Sequence, residues 1–144
     1  MVSHFHTDSN IYFHRDGYYN PPLGDYLGEL KDELNGATIT TFVSGGPKNY
    51  AYQTSTGDKI CKIRGFTLNT RNSLVLNYEV VKEIVTTPSE EKKEKIPIAE
   101  PFKIVRKAGN LYTIPQTKDY RLVYDKRVIG KNYITYPYGW KGDR

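Results

Sequence analysis

The chain has 144 residues, 38% hydrophobic and 13% aromatic with 13 tyrosines, enough for one domain or two small lobes whose burial relies heavily on rings with a polar tip. Its formal charge of +5 is unevenly spread: residues 1–36 carry 2 basic and 6 acidic side chains, the remainder 19 and 10, an acidic entry suited to metal binding and a basic body suited to phosphate contact. One cysteine, Cys61, excludes a disulfide framework and a cysteine-based zinc site, no apolar run reaches membrane-spanning length, and the first residues do not form a secretory signal.

In chain order, the alternating run Ile11–His14 reads as a short strand, entered from a turn at His6-Thr7-Asp8-Ser9. A helix is expected after Pro21-Pro22, carrying Leu23, Leu27, Leu30 and Leu34 on one face and stopping at Asn35-Gly36. A β meander follows over Thr38–Val43, Tyr50–Thr54 and Lys59–Arg64, punctuated by Gly45-Gly46-Pro47 and Thr56-Gly57. Asn77 is placed to cap a helix running to Val85, with Tyr78, Val81 and Val85 at helical spacing. The charged, core-poor stretch Pro88–Lys95 marks a linker near residues 86–97. Beyond it Phe102–Lys107, Leu111–Ile114 and Tyr120–Ile129 read as short strands, with a hairpin turn at Gly109-Asn110. The class is α+β, divided into residues 1–65 and a β-rich part over 66–144.

Several segments carry a family likeness as a set. His6-Thr7-Asp8-Ser9 resembles the Asp-Thr-Asp-Ser metal-binding turn of family B DNA polymerases, with His6 in place of the first aspartate and His4 where tyrosine is usual. Pro21–Leu30, Phe42–Tyr52, Cys61–Phe66, Lys118–Arg127 and Tyr136–Trp140 extend the likeness. Together they resemble the C-terminal end of a protein-primed family B DNA polymerase of the Maverick/Polinton transposon and related virus type. The likeness runs nearly end to end and is thinnest across Thr86–Pro101. It implies a palm-edge fragment over 1–65 and a thumb-like subdomain over 66–144.

Phosphoryl transfer by such enzymes uses two metal ions held by carboxylates, one activating the primer hydroxyl and both stabilising charge on the transferring phosphate. The resemblance implies that Asp8 is one such carboxylate, with Mg²⁺ or Mn²⁺ as the ion in the complete enzyme; read on its own, Asp8 is more readily a turn residue bonding its own backbone. The Lys-x-Tyr of Lys48 and Tyr50 matches the family's primer-holding pair, and on an extended segment the two side chains share a face. Lys62 and Arg64 match the passage from palm to thumb, alternate basic residues facing duplex backbone while Cys61 and Ile63 turn inward. Lys103, Arg106, Lys107, Arg121, Lys126 and Arg127 would continue a phosphate-tracking surface. Tyr120, Tyr124, Tyr136 and Tyr138 are candidates for base stacking, although tyrosines of a small β lobe are more often core. His4-Phe5-His6-Thr7-Asp8 also matches the start of the His-x-His-x-Asp-His pattern of zinc hydrolases, but Ser9 stands where its closing histidine belongs.

The family's other metal-binding aspartate and its fingers lysine are not in this sequence and would precede Met1, as would most of the strand entering the Asp8 turn. The expectation is a portion of a longer DNA-directed DNA polymerase, inactive alone. Its partners would be template-primer DNA, a terminal primer protein and, with the fingers, an incoming deoxynucleotide. Its place would be intracellular, nuclear or virus- or transposon-associated, without membrane contact. A non-catalytic nucleic-acid-binding remnant and a purely structural domain are the alternatives.

Overall fold

The computed structural model describes residues 2–5, 9–87, 95–122, 127–137 and 139–141, and the chain forms two compact units, Met1–Thr38 and Ile39–Arg144. Helices and strands both occur, with strands prevailing, so the α+β class holds.

In the first unit β1 (Val2–Phe5) pairs antiparallel with β2 (Asn10–Tyr12), Phe5 facing Asn10. A paired strand therefore stands ahead of residues 6–8, where the sequence leaves almost no room for one: four residues suffice. The helix expected over Leu23–Leu34 does not form. Leu23 and Leu30 instead meet in a parallel bridge, Gly24 N–H donates to the Leu30 carbonyl at 3.0 Å, and Leu27 is fully exposed. The leucine spacing fits a helix, but Gly24 and Gly28 weaken one, and Gly28 sits at φ +95, outside helical backbone. The Glu29 carboxylate takes the Tyr26 N–H at 2.9 Å and closes a turn in its place. Further on, the Asp32 carboxylate accepts from the N–H groups of Leu34 (2.8 Å) and Gly36 (2.6 Å). None of the described side chains of residues 9–38 is fully buried.

The second unit opens with the expected meander: β3 (Ile39–Gly46), β4 (Asn49–Thr54) and β5 (Lys59–Ile63), antiparallel in that order. Directly opposed residues share a face, so Val43, Ala51 and Cys61 line one side, while Phe42, Tyr52 and Ile60, with Ser44, Tyr50 and Lys62, line the other. On the first side lies α2 (Tyr78–Thr86), packed across all three strands. Asn77 caps it as expected, its side chain accepting from Glu79 and Val80 N–H. A shorter α1 (Thr70–Val75) precedes it, capped by Asn69. Sequence periodicity gave no sign of α1, because Asn72 is its only buried residue.

A long hairpin follows, β6 (Ile96–Lys107) with β7 (Asn110–Tyr120). Ile96 and Pro97 already belong to β6, so the linker expected over 86–97 ends before them; residues 88–94 lie outside the described residues. The tight turn is Ala108-Gly109, both at positive φ (+50 and +80), one residue earlier than Gly109-Asn110; this primed-type geometry matches strand twist. Val43, Ala51 and Ile63 join Leu76, Tyr78, Val81, Ile98 and Tyr120 in one hydrophobic cluster. The boundary drawn at 65/66 thus falls inside the second unit's core. A last small pair, β8 (Arg127–Ile129) with β9 (Thr135–Pro137), takes up part of the strand expected over Tyr120–Ile129.

Candidate nucleic-acid interface

Asp8, and His6 beside it, lie outside the described residues. Among the described residues no group of three or more His, Cys, Asp or Glu side chains is arranged to hold a metal ion.

The four basic and aromatic candidates all fall in the second unit, at one end of the meander. Lys48 is exposed in the two-residue turn Pro47-Lys48, at φ +58. The backbone there is left-handed, so the period-2 rule for extended chain does not apply and Lys48 and Tyr50 do not share a face as expected. Tyr50 is only 8% exposed. Its ring stacks on Tyr52 at 6.3 Å and 12°, and the Phe42 ring lies 5.9 Å away. These three rings form an aromatic ladder on the side of the sheet opposite α2.

Lys62 and Arg64 follow expectation: both are exposed, while Ile63 is buried and Cys61 half-buried. Burial pushes the Cys61 thiol up to about 11, so it is a protonated packing residue at neutral pH. Arg64 N–H donates to the Lys48 carbonyl at 2.9 Å, which brings the turn and the end of β5 together in backbone. Lys118 joins them from β7, its ammonium donating to the Gly65 carbonyl at 2.9 Å. The sequence reading missed Lys118 as a site residue. Its position depends on β7 lying against the meander, and only that packing shows it. Gly45 permits the close approach, since a Cβ there would come within 2.6 Å of Leu122.

The meander's one acidic residue, Asp58, lies in the β4–β5 turn with Thr54 and Thr56. It sits at the opposite end of a six-residue strand, roughly 20 Å from Lys48. Lys59, beside it, is neutralised by Glu79, whose hydrogen bond and charge raise the lysine's pKa. The Lys48 end therefore presents cations while the far end is charge-balanced.

The distal half of the β6–β7 hairpin adds a second basic surface. The register slips between Glu100 and Lys103, where three steps on β6 face two on β7, a bulge next to the two prolines Pro101 and Pro115. Below the bulge Ile98 and Tyr120 are buried; above it Phe102, Ile104 and Leu111 are each at least 70% exposed. Lys103, Val105 and Lys107 share one face with Tyr112 and Ile114, and Ile104 and Arg106 the other with Leu111. From Pro101 to Lys118 the sequence holds four basic residues and no acidic one. Lys126 lies outside the described residues, as do Tyr124 and Tyr138. Tyr120 is a core residue, edge-on to Phe66 and donating its hydroxyl to the Asn49 side-chain Oδ1 at 3.1 Å.

Comparison of the chain with protein-family models, with curated proteins and with solved structures returned no match. No helix among the described residues is long and apolar enough to cross a membrane.

Proposed function

We propose that the chain is the C-terminal part of a DNA-directed DNA polymerase of the protein-primed family B type, whose role is to hold template-primer DNA and to supply Asp8 to the metal pair. The observation that carries the binding half of this reading is the one-sided distribution of charge. Lys48, Lys62, Arg64 and Lys118 gather at the end of the meander away from Asp58, and an acid-free ribbon bears Lys103, Arg106 and Lys107. Cations that displace condensed counterions from a phosphate backbone give affinity without reading sequence, which is what a polymerase needs from the groups that grip its product. The catalytic half rests on the motif resemblance at Asp8 and is supported by the antiparallel pairing of β1 and β2, which precede and follow it in the chain. Mg²⁺ or Mn²⁺ there would supply Lewis-acid stabilisation of the transferring phosphate, with Asp8 one of its oxygen ligands. The rest of the machinery, including the grip on the deoxynucleotide and any terminal primer protein, would come from a longer chain.

Binding of a fluorescent primer-template duplex to this chain tests the reading. Lys48→Ala and Arg64→Ala should each weaken binding severalfold and uniformly across DNA sequences. Asp8→Asn should leave metal-free binding unchanged, and the purified chain should not extend a primer. Loss of binding with Asp8→Asn and not with the lysine and arginine variants would refute this assignment of roles. A non-catalytic binding module is the second reading, favoured by His6 at the position of the turn's first acid. It predicts the same binding, but no dependence of extension on Asp8 in the longer enzyme.

A further inference from the structure

We infer that Trp140, backed by Tyr136, is a stacking platform for an unpaired base of single-stranded nucleic acid. The inference rests on the nucleic-acid reading above and adds a distinct mode of contact. In the β8–β9 hairpin Tyr136 faces Val128, and a Cβ on Gly130 would lie 2.8 Å from the Tyr136 Cε2, so the glycine leaves room for that ring. Trp140 N–H donates to the Pro137 carbonyl at 3.1 Å, a turn that folds the indole back over Tyr136. The two rings are 4.0 Å apart and within 6° of parallel.

One side of the indole is thus covered by Tyr136, yet the residue remains 48% exposed. An indole held flat against a neighbour and still about half exposed offers a preorganised π-face, and every base has a π-face to match. Charge selects the partner: residues 127–141 carry Arg127, Lys131 and Lys141 and no acidic side chain. Lys131 and Lys141 are exposed. An aromatic surface with an excess of cations close by in sequence suits an aromatic polyanion better than an apolar peptide. Bases within a duplex have both faces occupied, so the strand must be unpaired.

Trp140 is the only tryptophan, so the emission of the full chain reports this site directly. The test titrates the chain with a labelled oligothymidylate of about 12 nucleotides, within the span such surfaces cover, following label anisotropy and tryptophan emission together; inorganic polyphosphate serves as a base-free polyanion. The expected result is quenching that saturates with the anisotropy, and little quenching by polyphosphate at saturation. Trp140→Leu should lose about tenfold in affinity for the oligonucleotide and none for polyphosphate, while Trp140→Phe keeps most of it. Oligonucleotide binding without quenching, or equal quenching by polyphosphate, overturns the platform and leaves the binding reading standing. Equal loss of both ligands in Trp140→Leu assigns the pair to hairpin structure alone. Failure of the chain to bind single strand or duplex at low salt overturns both.

Discussion

Lys48 occupies a left-handed position in a two-residue turn and is exposed at the end of the sheet, whereas Tyr50, two residues on, is buried with its ring against Tyr52 and near Phe42. A pair that reads alike in sequence thus has two different physical roles: the lysine is free to meet a phosphate and the tyrosine shapes the sheet beneath it. The alternation of Cys61, Lys62, Ile63 and Arg64 was legible because a half-buried strand imposes it, while the reach of Lys118 to Gly65 was not, since 53 residues separate them. At this same scale Asp32 has a pH signature. Two backbone N–H groups, from Gly36 and then Leu34, stabilise its ionised form and hold its pKa below the ordinary carboxylate range. A depressed folded-state pKa contributes stability that is present above the unfolded value and lost as pH falls through the folded one. A pH titration by NMR should therefore find the Asp32 carboxyl, with the Leu34 and Gly36 amides, titrating below about 3.9. A midpoint at or above that value would show that the turn is not held in solution.

Among the elements, the junction of α1 with β6 keeps the exit of the meander in place. Asn72 donates through its amide nitrogen to the Thr67 and Ala99 carbonyls, both at 2.8 Å, and the Glu100 carboxylate takes the Thr67 N–H at 2.8 Å and its hydroxyl at 3.2 Å. Thr67 stands two residues beyond Gly65, so these bonds tie the start of the long hairpin to the segment that leaves the basic cluster. Asn72→Ala would remove both bonds made by a buried side chain and should cost about 1–3 kcal/mol in urea unfolding. A loss under about 0.5 kcal/mol would show that water replaces the amide without penalty. None of this was readable beforehand, because an asparagine in a polar run looks like solvent-facing helix. The capped α2 was readable, since Asn77 and the apolar positions of its helical face agree. The helix expected at Leu23–Leu34 shows the converse, where correct spacing lost to glycine backbone and a side-chain-closed turn.

At the level of the whole molecule, burial is concentrated in the second unit, and the first leaves Tyr19, Tyr26 and Leu27 each more than 80% exposed. That accords with the thin, tyrosine-rich composition. The α+β class and the meander could be read from sequence, because strand alternation and turn residues are local. The single core spanning residues 43–120 could not, because it depends on which surfaces meet. The distal ribbon above the bulge contributes nothing to that core, so its exposed cations have no folding role to explain them. Excising residues 101–115 and closing Glu100 to Gln116 with an Asn-Gly turn should leave the unit folded. The measurement that tests the account most directly is the salt dependence of primer-template binding for the full chain and this shortened one. The account predicts that the full chain binds with log Kd rising linearly in log salt, and that the shortened chain binds more weakly with a slope smaller by about 2–3, one phosphate contact for each lost cation. Binding indifferent to salt, or an identical slope after the excision, would contradict it.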